Sequence, residues 1–363
     1  MNVIIEARAR TARSGGIKSY VINLLKGLRE HSNIHIDVVD GSRSSPVPLR
    51  SELLLPYWMN YQLETYIARN KPNVAHFTKA AIPRKKTAPT VVTIYDIIPI
   101  LLPETQSLFR RAYWPTALHH AAVQSDRIIT ISEKSKQDIA KTFRVPEEKI
   151  IVTTLAIDAS HFKPMANYPS TDTAGKYILF VGTWDERKNI KTLIRAFELI
   201  AGQIPHQLIV AGRPAHKDDG ARVFAQKSKY ADRIVFREHV PYADLPSLYS
   251  NADIFVWPSI YEGWGFPPQE AMACGTPVIV SNGGSLPEVV GDAGAIVPFS
   301  SNDLHERMYD GDFTQRLSRE MLNLIGNEAA KQRFCDAGVV QATKTTWAQI
   351  TEKTVATYKE IGL

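Results

Sequence analysis

Two glutamates, Glu262 and Glu270, stand with seven residues between them in the run YEGWGFPPQEAMACGTPVIVS, residues 261–281. Carboxylates accept hydrogen bonds from paired hydroxyls such as those of a ribose or a hexose. Gly263 and Gly265 make a flexible loop that a ligand can approach closely. Pro267 and Pro268 are pre-set for a helix start, and Gly275 and Pro277 mark its end, which predicts a short helix. Glu270 then lies in the first turns of that helix and Glu262 in the loop before it, so both carboxylates can face one cleft. The plainer alternative is that Glu270 complements the helix dipole and Glu262 is solvated. Paired carboxylates also suit a glycosidase.

A second segment, GTWDERKNIKTLIRAF from Gly182 to Phe197, carries adjacent cations, Arg187 and Lys188. A strand ends at Val181, and the loop leads to a helix with Ile190, Leu193, Ile194 and Phe197 on one face. In an open α/β sheet such a loop sits at the carboxyl edge, where ligands bind. Two cations beside a positive helix N-terminus suit a diphosphate; the alternative is a pair of solvated surface charges. Asn189 is positioned to cap the helix with its side chain. A third segment holds Gly15 and Gly16 ahead of a helix whose face is Ile17, Tyr20, Val21, Leu24, Leu25 and Leu28. Glycine admits a ligand to the backbone and the helix start offers N–H groups to an anion. The segment is neither G-x-G-x-x-G nor a Walker loop, which argues against dinucleotide oxidoreductases and P-loop enzymes.

The elements that must position these residues alternate from end to end. Apolar runs at 3–7, 34–39, 74–77, 91–95, 128–131 and 151–154 predict six strands in the first half. Runs at 178–181, 208–211, 234–236, 254–257, 278–281 and 295–297 predict six in the second. Strands separated by helices imply parallel sheets covered on both faces. The Pro/Ser/Thr/Gly-rich stretch from Pro164 to Lys176 reads as a linker. The fold class is therefore α/β, with two doubly wound domains and a cleft between them.

The 363 residues suit two domains, and 44% hydrophobic with 22% charged residues excludes disorder and low complexity. Residues 1–170 hold 23 Lys+Arg against 14 Asp+Glu, or +9, whereas 171–363 hold 20 against 23, or −3. The basic excess of the first half suits an anionic surface or ligand. Nucleic acid is disfavoured, because no aromatic-basic or zinc-finger motif accompanies the charge. Two cysteines make no disulfide framework and fit a reducing compartment. The first residues read as a strand rather than a signal peptide, and no apolar run reaches membrane-spanning length, so the protein is expected in the cytoplasm.

Taken together, these segments resemble the family 4 glycosyltransferases of the GT-B fold, the retaining, nucleotide-sugar-dependent type, over nearly the whole chain. SGGIKSY resembles the family's first glycine loop, and GTWDERKN its Gly-…-Arg-Lys-Asn loop. Glu262 to Glu270 resembles its two-glutamate motif, and SNGGSLPEVVGDAG from Ser281 to Gly294 continues that block. WAQITEKTVATYKEIGL resembles the terminal helix that crosses back to the N-terminal domain. The resemblance implies an acceptor-side domain at 1–165, a nucleotide-sugar domain at 175–345, and a returning helix at 346–363.

Carried over, Glu270 is expected to bind the ribose hydroxyls and Glu262 the donor sugar near the reacting centre. Lys188 and Arg187 are expected to neutralise the leaving diphosphate. Gly265, Phe266 and Pro267 line the sugar and phosphate pocket, Gly15 and Gly16 approach the phosphate, and Arg213 and Val240 sit near the base. Relatives often place His-Asp after the fourth strand; here Tyr95 replaces the histidine and Asp96 remains. Tyr95 either edges the donor sugar, helping to select it, or packs in the core with a backbone partner for its hydroxyl. Asp96 either joins the catalytic set or caps a helix. His76, His119 and His120 lie nearby and read as structural.

No Asp-x-Asp clamp sits in a suitable loop, and Asp310-Gly311-Asp312 reads as a turn. No metal or cofactor is therefore expected, only a GDP- or UDP-linked sugar as substrate, transferred with retention. The donor sugar is expected to be of the mannose or deoxyhexose type, as in O-antigen synthesis. The acceptor is expected to be a glycan or lipid-linked glycan. Arg84-Lys85-Lys86 and FRRAYW (residues 109–114) suit a peripheral position on an anionic inner membrane face. The rivals are a catalytically silent nucleotide- or glycan-binding protein and another GT-B enzyme, such as a sugar-nucleotide epimerase or a glycogen-type synthase.

Overall fold

The computed structural model describes residues 1–11, 16–49, 54–106, 108–165, 175–215, 220–307 and 310–362. Gly15 and most of the stretch from Pro164 to Lys176 lie outside the described residues. The chain divides into two compact units, one of residues 1–100, 106–155 and 345–363, the other of 101–105 and 156–344.

Each unit is built on a six-stranded parallel sheet. The first holds β1 (Asn2–Glu6), β2 (His35–Val39), β3 (Val74–Phe77), β4 (Thr90–Thr93), β5 (Arg127–Thr130) and β6 (Ile150–Val152), in the order β2-β1-β3-β4-β5-β6. The second holds β7 (Tyr177–Trp184), β8 (Gln207–Pro214), β9 (Ile234–Glu238), β10 (Ile254–Trp257), β11 (Val278–Ser281) and β12 (Ala295–Val297), in the order β12-β11-β10-β7-β8-β9. Every predicted strand is present. Their Val/Ile-rich runs suit strands buried on both faces, as parallel sheets under helices require. Strand order reverses between β1 and β3 in the first sheet and between β7 and β10 in the second, and such reversal points open a crevice at the carboxyl edge.

In the first unit the helix Gly16–Arg29 buries Tyr20, Val21, Leu24, Leu25 and Leu28. Ile17, expected on that face, is 41% exposed. The helix Trp347–Gly362 closes the unit. Gly27 allows it close, since a Cβ there would meet Thr351 Oγ1 at 2.2 Å. His76 fastens it from the sheet, bonded to Tyr358 Oη at 2.6 Å and to Thr93 Oγ1 at 2.8 Å. Burial lowers the His76 pKa to about 3, so the ring is neutral and structural. His120 Nε2 bonds the Pro83 carbonyl at 3.1 Å, and His119 packs edge-on to Phe143.

Tyr95, half-buried, follows β4. Its hydroxyl donates to the Thr78 carbonyl at 2.9 Å, and its ring meets Tyr20 edge-on at 5.4 Å. Asp96 Oδ1 accepts from the Ile98 amide at 3.0 Å, two residues along, just ahead of the short helix Ile98–Leu101. In the second unit, Asp310 and Gly311 begin a helix rather than form a turn. Asp310 caps the helix Gly311–Ile325 by accepting from the Phe313 amide at 2.8 Å.

Candidate active site

The reversal point of the second sheet brings two loops together. β7 runs into a single turn, Glu186–Lys188, before the helix Ile190–Ile200. β10 runs into residues 258–265 before the helix Phe266–Ala273. The strands are neighbours, with Ile254 opposite Ile178 and Phe255 opposite Leu179. The loops beyond them are stitched by the Ile260 amide donating to the Arg187 carbonyl at 2.8 Å. Asn189 adds to the stitch: it stands at the N-cap of its helix with a left-handed φ of 58°, but its side chain makes no cap bond and donates from Nδ2 to the Pro258 carbonyl at 3.3 Å. The sharp turn between strand and helix has carried its amide group away from the first-turn N–H groups.

Glu262 is the hub. Its Oε1 accepts from Lys188 Nζ at 2.6 Å and from Ser259 Oγ at 2.6 Å, and its Oε2 lies 2.6 Å from Arg187 Nη1. Arg187 also donates to the Tyr261 carbonyl at 2.9 Å, and Asp185 Oδ2 lies 4.0 Å from its Nη2. Lys188 sits 4.4 Å over the Trp257 ring, where the ring face attracts the cation. Lys188 and Glu262 are each only 7% exposed, which removes the reading of both as solvated charges. Burial alone would raise the Glu262 carboxyl, but Arg187 and Lys188 more than offset it and hold it below its ordinary range. At Lys188, burial and the neighbouring Arg187 outweigh the attraction of Glu262 and Asp185, so its ammonium is depressed.

The Glu262 backbone is fixed as well. Its carbonyl accepts from the Ser285 amide at 3.0 Å and the Ser285 hydroxyl at 3.2 Å. Gly284 makes room for this contact with φ +65°, and a Cβ there would lie 2.1 Å from the Glu262 oxygen. The loop read as flexible is thus tied at Tyr261 and Glu262, and Trp264 Nε1 ties it again at Gln269 Oε1, 2.9 Å away.

Glu270 sits in the following helix, apart from the ion cluster. Its Oε2 accepts from Tyr249 Oη at 2.8 Å. Burial raises its pKa to about 7, with the Tyr249 bond opposing. Gly265 is the residue before the helix, and Phe266 and Pro267 are its first two residues, half-buried. Arg213, near the end of β8, is exposed, and Val240 follows β9; both lie at the same carboxyl edge. Gly16, Tyr95 and Asp96 belong to the first unit. Among the described residues, no group of three or more His, Cys, Asp or Glu is arranged to hold a metal ion.

Sequence reasoning missed Ser259, Trp257, Ser285 and Tyr249. Each reads locally as a strand-end or helix residue, and only the long-range pairing reveals its part.

The Glycosyl transferases group 1 family model matches residues 168–310, and the Glycosyltransferase Family 4 model matches residues 14–161. The chain is 32% identical over 278 residues to O-antigen chain mannosyltransferase B of Escherichia coli, covering 74% of this chain and 70% of that protein. It is 28% identical to O-antigen chain mannosyltransferase RfbU of Salmonella typhimurium, covering 76% and 80%. Among solved structures, sucrose-phosphate synthase from Thermosynechococcus elongatus superposes with a TM-score of 0.76 at 19% identity, covering 99% of this chain and 98% of that one. That likeness is one of fold.

Proposed function

Because the chain belongs to the group 1, family 4 glycosyltransferases and has their GT-B fold, we propose that it moves a mannose-type hexose from a GDP- or UDP-linked donor to a glycan, with retention and without a metal. The observation that carries the reading is the buried Lys188–Glu262–Arg187 cluster at the reversal point of the second sheet. When the sugar–phosphate bond breaks, negative charge grows on the nucleoside diphosphate. Fixed cations in a water-poor site stabilise that charge without reorganising. Glu262 holds the cations in place and Glu270 receives the ribose hydroxyls. The acceptor oxygen bonds to the anomeric carbon on the face the phosphate leaves, and its proton passes to a phosphate oxygen. The mannose assignment rests on what the two bacterial relatives are named for.

Transfer from GDP-mannose to a synthetic mannoside should give the α product seen by NMR, and should persist in excess EDTA. An inverted product, or loss in EDTA restored by magnesium or manganese, contradicts the reading. Nucleotide binding without transfer or hydrolysis, across GDP- and UDP-linked donors, would make the silent binding protein correct.

The acceptor proposed is a glycan, free or lipid-linked, and the +9 balance of residues 1–170 gives the protein attraction for anionic bilayers. No described helix is long and apolar enough to cross a membrane. Co-sedimentation with anionic vesicles at low salt, reversed as salt screens the charge, is the expected result. No pelleting at low salt would favour a soluble acceptor.

A further inference from the structure

At the carboxyl end of β1 the first unit buries a carboxylate that the reaction described so far does not use. Glu6, the last residue of the strand, is 1% exposed. Its Oε1 accepts from Arg8 Nε at 2.6 Å and from the Arg8 amide at 3.1 Å. Its Oε2 is equally buried and accepts from nothing among the described residues. Taking a carboxylate oxygen out of water without a donor is costly, and native chains rarely keep such an atom without a use for it.

The backbone that carries the side chain is also held still. The Thr78 amide and hydroxyl both donate to the Glu6 carbonyl, at 3.2 and 2.7 Å. Thr78 is in turn held by Tyr95, and Arg8 lies 5.2 Å over the Trp58 ring, itself bonded to the Val47 carbonyl. The site stands where the first sheet reverses strand order, the position at which an open parallel sheet takes a ligand. Tyr113 lies close by: burial raises its phenol, the Arg8 charge opposes, and the Glu6 charge adds.

The free oxygen calls for a donor of limited charge. Arg8 already balances the carboxylate, so a second cation gains little, while a neutral O–H satisfies the atom. We propose that Glu6 Oε2 accepts a ring hydroxyl of the acceptor sugar, and so is a substrate-binding residue of the first unit. The proposal rests on the glycosyl-transfer reading.

Glu6→Gln is the test. The amide keeps the side chain's size and an oxygen for Arg8, but sets NH2 where the open acceptor was. Its KM for the acceptor should rise about 10-fold, the loss expected for one hydrogen bond to a charged group, with GDP affinity held; the buried Arg8 loses its counter-charge, so the thermal midpoint falls as well and KM is read well below it. A rise for methyl α-mannoside in transfer, with the KM for GDP-mannose hydrolysis unchanged, is the expected result; a rise in the hydrolysis KM alone overturns it. Monodeoxy mannosides should be discriminated by the parent at one ring position and not by the variant. Glu6→Asp, which retracts the carboxylate but keeps its charge, should raise the same KM and serves if the amide variant fails to fold. Unchanged KM values with only a lowered thermal midpoint overturn the proposal and leave Glu6 as the structural partner of Arg8. If the parent binds no nucleotide, the glycosyl-transfer reading falls separately. Saturation-transfer NMR of methyl α-mannoside then decides for Glu6: a signal lost in the variant supports it, and no signal or an equal one overturns it.

Discussion

Lys188→Ala should lower sugar transfer by roughly 100- to 1000-fold, the usual loss when one fixed donor is taken from a developing anion. The expectation follows from where the ammonium is. It is 7% exposed, 2.6 Å from Glu262 and 4.4 Å over Trp257, so it meets little water and its field is poorly screened. Removing it has a second consequence. Glu262 would keep only Arg187 and Ser259 as partners, and breaking a buried ion pair from one side costs ~3–5 kcal/mol of stability. The rate must therefore be measured per folded molecule, at a temperature well below the variant's thermal midpoint. Turnover should fall much more than binding of the neutral nucleoside, because the charge acts on the departing phosphate. Lys188→Arg should recover only part of the rate, since a planar fork does not reproduce a point charge over the same ring. Transfer by Lys188→Ala at the parent rate would remove the cluster from the mechanism.

That cluster was only half legible in the sequence. The strands were plain, because residues buried on both faces of a parallel sheet leave unbroken Val/Ile runs. Even so, β7 continues three residues past Val181, its Gly182, Thr183 and Trp184 pairing with Gly212, Arg213 and Pro214. Backbone pairing there has no hydropathy signature. The residue types of the site could be read from spacing, but their partners could not. Lys188 and Glu262 are 74 positions apart, and either alone is consistent with a surface charge. Glu6 escaped notice for the same reason: a glutamate ending a strand looks solvated until the fold covers it. Asn189 and Asp310 mark the limit of local rules. Both are good capping residues, yet the turn after β7 drew the first away, while the second caps a helix where a turn was read.

Nucleotide binding should weaken as pH falls below neutrality, and Glu270→Gln should abolish that dependence. The Glu270 carboxyl is raised to about 7 by burial, against the opposing bond from Tyr249. A ribose diol needs the ionised form, because two hydroxyl donors require acceptor oxygens and a protonated carboxyl offers one of its own as a donor. Below pH 7 the ligand must therefore displace a proton, and the logarithm of the GDP association constant should fall by up to one per pH unit. Stability runs the other way. A carboxyl whose folded pKa lies above its unfolded value binds its proton more tightly when folded. The ligand-free chain thus loses stability as pH rises from the ordinary carboxylate range through about 7, and Glu270→Gln should raise its thermal midpoint at pH 8 while weakening GDP binding there. Glu270→Ala should weaken GDP ~10- to 100-fold, the loss of one or two bonds to a charged group. Calorimetry with GDP between pH 5.5 and 8.5 decides the matter. An affinity flat with pH in the parent, or equal in the parent and Glu270→Ala at pH 8, would show that the ribose is held elsewhere. A higher midpoint coupled to a lower affinity in Glu270→Gln would show a carboxylate kept charged at a cost in stability because the ligand requires it.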